Sequence, residues 1–589
     1  MRVGVDTGGT FTDLVVDDGH VAKVASTPRE PAAAIRTSLA GLADRPELLA
    51  HGTTVATNAL LELRGGTVAL YTTDGFADVI EIARQMRPSL YDLAMDRPAP
   101  LVTRAHRVEV AGRLDASGHE VIPVGTIPDL PLGADVAAVC LLHADLCADH
   151  ERAVAAVLRA RGIDTVCSHE VSPEFREYER TVTTVVDAML RPVCREYLAA
   201  IDGLADDVLV MTSGGGLLAA ADAAAHPAAL LLSGPAGGVR AAAAVAGACG
   251  FPDAVSFDMG GTSTDVCLVR GGVPDPAATR VVGGYPIRFP ALDVHTIGAG
   301  GGSIARLDAG GALVVGPQST GAEPGPAAYG RGGEQPTVTD ADAVLGRIPA
   351  DGLAGLGPLD VAAARAAIER ARTPAAGIVR VVDAAMERAV RAVTVARGVD
   401  PREVALVAFG GAGPLHACAI ADELGMPAVL VPPRAGVLSA VGLVCSPRQR
   451  ELARSWPTPG EHAGLGEALA DLAGDAQAAV GEDAVVSTFV DCRYAGQSHE
   501  LTVASPDTFH AEHRRRNGYE RAESPVEVVA IRARAAAPAP LDPGSLPTVE
   551  RTTIRGPSVV AEPDCTVDVP DGWTATPAEL GTWVLRRSR

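Results

Sequence analysis

DTGGTFTD (Asp6–Asp13) and DMGGTSTD (Asp258–Asp265) are one octapeptide met twice, identical at six of eight positions. Apolar residues flank both copies, MRVGV and LVV around the first, AVSF and VCLV around the second. Each copy therefore reads as strand, tight glycine turn, strand. Paired glycines let backbone N–H groups converge on an anion. The expectation is that the amides of Gly8–Thr10 and Gly260–Thr262 face phosphate oxygens. Thr7, Gly8, Gly9, Thr10 and Thr12, with Gly260, Gly261, Thr262 and Thr264, are thus the candidate phosphate-binding residues. Asp6 and Asp258 are placed to hold Mg²⁺, which takes one or two protein carboxylates and keeps the rest of its shell as water. Asp13 and Asp265 suit a structural hydrogen-bonding role as well as a catalytic one. Two such hairpins are what a clamp on a nucleoside triphosphate needs, and two unrelated Gly-Gly turns would not repeat so closely.

Bulk properties limit the alternatives. At 589 residues the chain should divide into roughly three to five domains. Its cores must be rich in Ala, Val and Leu, because 47% of residues are hydrophobic but only 3% aromatic. A formal charge of −22 argues against binding nucleic acid or an anionic membrane. The ten cysteines are scattered with no CxxC, which fits a reduced cytoplasmic setting. The apolar stretch 228–250 is broken by Ser233, Gly234, Pro235 and Arg240, so no membrane span is expected.

The pattern along the chain is α/β. Strands are expected at 67–73 and 137–143, a helix at 149–161, and a long amphipathic helix across 172–192 joining two halves. The second half repeats strand, glycine turn and helix, carries a loop-rich insertion at 271–350, and includes a helix at 378–398. Phe409-Gly410-Gly411-Ala412-Gly413 follows a strand and opens a helix. Alone it suits tight strand–helix packing; beside two phosphate hairpins, Gly410, Gly411 and Gly413 become candidates to contact adenosine. Charge runs and Pro-rich breaks set 455–589 apart as a smaller β-containing domain.

Ordered segments extend this reading: HGTTVATNALLE, LLSGPAGGV, DVHTIGAGGGSIA, GPQSTGAEPGPAAYGRGG, FGGAGPLHA and VPPRAGVLSAVGLV, together with both hairpins. On these the chain resembles the hydantoinase A / 5-oxoprolinase family of the actin–Hsp70–sugar kinase superfamily, across about residues 2–445. The resemblance implies two pseudo-symmetric ribonuclease H-like halves, 1–180 and 181–448, around an ATP cleft. It also implies ATP-dependent opening of a cyclic amide such as a hydantoin, 5-oxoproline or a lactam, by phosphorylation of the amide oxygen. Related possibilities are an acetone carboxylase-like subunit acting on a ketone enolate, a small-molecule kinase, and an ATP-gated interaction protein. The B-like half of fused oxoprolinases is not in this chain, so a separate B-type subunit and a heteromeric assembly are implied. Gln318-Ser-Thr-Gly stands where the family often has Glu-Ser-Ala-Gly.

On the substrate side, Asp293 and His295 precede a glycine run and are the catalytic candidates, able to hold a second cation or orient the amide. A turn-capping histidine is the alternative. His51, Thr54 and Asn58 suit either a cleft wall or a helix cap. Glu323, Asp340 and Asp342 are loop carboxylates of lower rank.

Overall fold

The computed structural model describes residues 1–27, 30–277, 279–352 and 357–588; residue 278 of the expected insertion and residue 589 of the expected C-terminal domain lie outside them. Both octapeptides form the turn of an antiparallel hairpin, between Arg2–Thr7 and Phe11–Val16 and between Ala254–Met259 and Thr264–Arg270. Each hairpin opens a sheet of the same order. In the first half Val21–Ala25 lies outside Phe11–Val16, and Leu48–Thr53 and Asp207–Met211 run parallel to the first strand. This sheet therefore takes in strands beyond the expected boundary at 180, because Asp207–Met211 pairs with Leu48–Thr53. In the second half Val273–Pro274 takes the outer place, and Ala405–Phe409 and Val429–Val431 are the parallel strands. The inner strands are buried along nearly their whole length, as expected of strands covered on both faces. The chain thus has the two-half α/β architecture implied by its repeat.

A four-stranded parallel sheet, made of Val68–Thr73, Arg107–Val110, Val136–Cys140 and Asp164–Cys167, is inserted into the first half. The long helix is Glu177–Ile201, and it packs on that sheet and on the helix Val55–Leu61. Helices Asp149–Ala160 and Ala375–Val393 match the expected ones. No described helix is long and apolar enough to cross a membrane, and all ten cysteines are free.

The tail divides between two places. Gln449–Ser455, Val485–Tyr494, Leu501–Val503 and Val526–Ala536 form an antiparallel sheet with its own small core. Residues beyond it return to the second half, where Trp583–Arg587 pairs with Val429–Val431 and Trp573–Pro577 pairs in turn with Trp583–Arg587. Trp573 and Trp583 are buried in the core of that half. A sheet edge left bare would be open to pairing with other chains, and these short strands cover it.

The halves meet along a seam of backbone. Helix Leu438–Cys445, from the second half, lies on strands Arg2–Thr7 and Leu48–Thr53 of the first and on helix Gly234–Ala248. A Cβ at Gly442 would stand 1.9 Å from the Gly237 carbonyl oxygen, and one at Gly4 would stand 2.3 Å from that of Ala440. Only glycine permits so close an approach. Gly442→Ala is therefore expected to destabilise the protein by about 1–3 kcal/mol through overpacking. Gly247→Ala, on an exposed turn of helix Gly234–Ala248 with nothing within 4 Å of the added Cβ, should instead stabilise by about 0.5–1 kcal/mol. Thermal unfolding of the two variants checks this, and equal melting temperatures would contradict the seam.

Candidate active site

Between the halves lies a cavity of about 530 Å³, within the usual range for small-molecule sites. Both hairpin turns enter it. Their tips face each other closely: a Cβ at Gly261 would be 2.9 Å from Thr10 Oγ1, and one at Gly9 would be 3.9 Å from Thr262 Oγ1. The Gly8 and Gly260 amides are not available as expected, because each donates to the carbonyl three residues on, Phe11 and Ser263, at 3.0 Å. Among the described residues the amides of Gly9, Thr10, Gly261 and Thr262 find no acceptor, which leaves two donors per turn for an anion.

Of the remaining hairpin candidates, Thr7, Thr12 and Thr264 are buried away from the cavity. Thr12 Oγ1 shares a hydrogen bond with Ser26 at 3.1 Å, and Thr264 donates to the Ala299 carbonyl at 2.6 Å. Thr12 and Thr264 brace the turns. Gly410 and Gly411 line the cavity, Gly410 at φ +78° with its missing Cβ only 2.4 Å from Asp258 Oδ1. Gly413 does not line it; it starts helix Gly413–Leu424 against the backbone of Phe257 and Met259.

Four aspartates open onto the cavity from matching positions. Asp6 faces Asp13 across the first hairpin and Asp258 faces Asp265 across the second. Like charges set opposite one another are unfavourable, and the two hairpins relieve this differently. Lys23 Nζ donates to Asp13 at 2.7 Å, and Thr296 Oγ1 donates to Asp265 at 2.5 Å. Burial, with the charge of Asp13 added, pushes the Asp6 carboxyl up to about 7. Asp258 is raised well above the carboxylate range by burial, then by Asp265 and Asp6. Burial raises Asp265 to about 6. Among the described residues lining the cavity Lys23 is the only cation. A donor set of buried carboxylates and unpaired amides fits a divalent cation carried with a polyphosphate.

The structure places Asp293 and His295 elsewhere. Asp293 pairs with Arg397 Nη1 at 2.5 Å, and neither residue lines the cavity. On strand His295–Ile297 side chains alternate, so Thr296 faces the cavity while His295 is exposed on the other side. His51 is fully buried; it donates from Nδ1 to the Val5 carbonyl at 3.0 Å and accepts from the Tyr197 hydroxyl at 2.6 Å. Burial holds it down to about 4, hence neutral. Thr54 and Asn58 line the cavity, Glu323 is exposed outside it, and Asp340 is consumed in the capping box of helix Val338–Val344.

Sequence reasoning passed over Lys23 and Thr296, and ranked Asp342 low although it faces the cavity. Asp342 lines the cavity and is held by Arg347 at 2.8 Å and by buried His416 at 3.3 Å. His416 itself is raised to about 9 by Asp342 and Asp383, against the effect of burial. One signal was available: Lys23 is the only lysine among the 50 basic residues, and it sits in the cavity.

The hydantoinase/oxoprolinase family profile matches residues 180–451, and the hydantoinase/oxoprolinase N-terminal region profile matches 2–162. Caprolactamase subunit alpha of Pseudomonas jessenii is 35% identical over 597 residues, covering 90% of this chain and 86% of that one. 5-Oxoprolinase 1 of Arabidopsis thaliana is 35% identical over 75% of this chain, which spans only 41% of the plant protein. The crystal structure of ATP-dependent caprolactamase from Pseudomonas jessenii superposes over 100% of both chains with a TM-score of 0.84 at 30% identity. With matching profiles on both halves and relatives of this coverage, the chain belongs to the hydantoinase/oxoprolinase family.

Proposed function

We propose that this chain is the ATP-using subunit of a cyclic amide hydrolase, phosphorylating the amide oxygen of a lactam, hydantoin or 5-oxoproline. The observation that carries the reading is the pair of facing hairpins, each with two free amides and a partly buried aspartate at one cavity. An unstrained amide resists water because resonance stabilises it. In the proposed course the amide oxygen attacks the γ-phosphorus, the β–γ bond breaks and ADP leaves. Water adds to the now electrophilic carbon, the ring nitrogen departs with a proton, and an acyl phosphate remains. A second water attacks its carbonyl carbon and releases phosphate.

Asp6 and Asp258 would hold Mg²⁺, which neutralises phosphate charge when bound. The amides of Gly9, Thr10, Gly261 and Thr262 would fix the phosphate oxygens, and Gly410 with Gly411 would let a nucleoside approach the backbone. Preorganised donors of this kind act mainly by positioning and charge stabilisation. Asp293 and His295 are left for a role outside the cavity. A B-type subunit would complete ring opening, in line with the subunit naming of the caprolactamase relative; a heteromeric cytoplasmic enzyme with access to ATP is the proposed setting.

ADP release measured against 5-oxoproline, hydantoins, lactams and ketones, with and without a B-type partner, tests the reading. Stimulation by a cyclic amide is expected, and Asp6→Asn or Asp258→Asn should reduce it at least ~10²-fold. Stimulation by a ketone alone, and only with bicarbonate, would contradict it. The raised Asp6 carboxyl also has a stability signature. The unfolded carboxyl ionises near 3.8 and the folded one near 7, so the folded state binds the extra proton and stability falls as pH rises between those values. In metal-free protein Asp6→Asn should therefore melt a few degrees higher than wild type at pH 8, with the gain fading toward pH 4. A pH-independent difference would contradict this.

A further inference from the structure

Lys23 is the only lysine in a chain that meets every other need for a basic side chain with arginine. It stands in the cavity, on the outer strand Val21–Ala25 of the first sheet, directly across from Asp13. Its ammonium donates to Asp13 Oδ1 at 2.7 Å and to the Gly436 carbonyl of the second half at 3.3 Å, with the Phe11 ring 5.1 Å away. Lys23 therefore spans the floor of the cleft, and only 15% of its side chain is exposed. An ammonium has three donors, and among the described residues two are used. The third is left for the cavity contents. If the task were only to pair with Asp13, arginine would serve, as it does at buried carboxylates elsewhere in this molecule, Asp145 and Glu174 among them. A guanidinium is a planar fork, whereas this niche between a carboxylate, a carbonyl and a ring fits a compact point charge.

We propose that Lys23 is a catalytic residue whose ammonium donates to an oxygen of the γ-phosphoryl group as it transfers. The inference rests on the nucleotide reading of the cavity. Asp13 and the Gly436 carbonyl hold the ammonium in place, and the positive charge it brings is the one the four aspartates do not supply. A role confined to neutralising Asp13 would be kept by Lys23→Arg, whereas the catalytic role would not.

The uniqueness of Lys23 makes the test direct. An acyl phosphate of ADP carries its acyl carbon where the γ-phosphorus of ATP would lie. If the lysine nitrogen is in reach it bonds that carbon, the carbon–oxygen bond to ADP breaks, ADP leaves with the electron pair, and the nitrogen releases two protons. Mass spectrometry of the whole chain should then find one acyl group on Lys23, suppressed by excess Mg-ATP, with the surface amine of Met1 as the unprotected control. Lys23→Gln should lower kcat by ~10²–10³-fold and Lys23→Arg by roughly tenfold or more, with nucleotide Kd changed only slightly. If Lys23→Gln fails to fold, Asp13→Asn/Lys23→Gln removes the orphaned carboxylate and should fold yet stay inactive. ATP binding with no acyl group on Lys23 and near-normal kcat for Lys23→Arg would overturn the role of Lys23 while leaving the nucleotide reading intact. No binding of Mg-ATP by titration calorimetry would overturn both.

Discussion

Everything at the cleft depends on how closely two pieces of backbone can approach at Gly237 and Gly442. With side chains there, helix Leu438–Cys445 could not lie on helix Gly234–Ala248 or on the first strand, and the two hairpins would not stand tip to tip. The same helix carries Ser439, whose hydroxyl lies 3.4 Å from Asp258, and Leu443, which packs near Gly52 beside Asp6. Packing at the seam and geometry at the site are one arrangement. Close-packed interfaces of this kind hold discrete positions instead of deforming smoothly, which suits a clamp that must present donors from two sides.

The electrostatics follow from the repeat and from its imperfections. Duplicating a hairpin duplicates its pair of aspartates, so two such pairs share one cavity and Asp6, Asp258 and Asp265 are all raised above their ordinary range. Such a site costs folding stability in the absence of a cation and repays it on binding one. The halves differ where it matters: Lys23 answers Asp13 on one side and Thr296 answers Asp265 on the other. One side can therefore bring positive charge to a ligand and the other only a neutral donor.

The hairpins, the two-half fold and the glycine turn at 410–411 were legible in the sequence because each is a local pattern, and the repeat reinforced it. Other features depend on partners far apart in the chain. Gly4 with Ala440 and Gly237 with Gly442 read as ordinary residues until the fold brings them together. Asp293 and His295 looked catalytic because of their chemistry, but strand alternation gives the cavity Thr296 instead, and the register of a three-residue strand has no local signature. Gly8 and Gly260 were counted as free donors although tight turns consume their first amide. The Trp573 and Trp583 strands read as part of a separate domain because their pairing partner lies well over a hundred residues away.

The central claim is that the amide oxygen itself receives the phosphoryl group. A lactam that stimulates ADP release, labelled with ¹⁸O at its carbonyl and turned over with a B-type partner, tests it most directly. The account predicts that the label appears in inorganic phosphate, because the bond from oxygen to phosphorus forms first and water later attacks carbon. Label confined to the product carboxylate, with phosphate unlabelled, would contradict it.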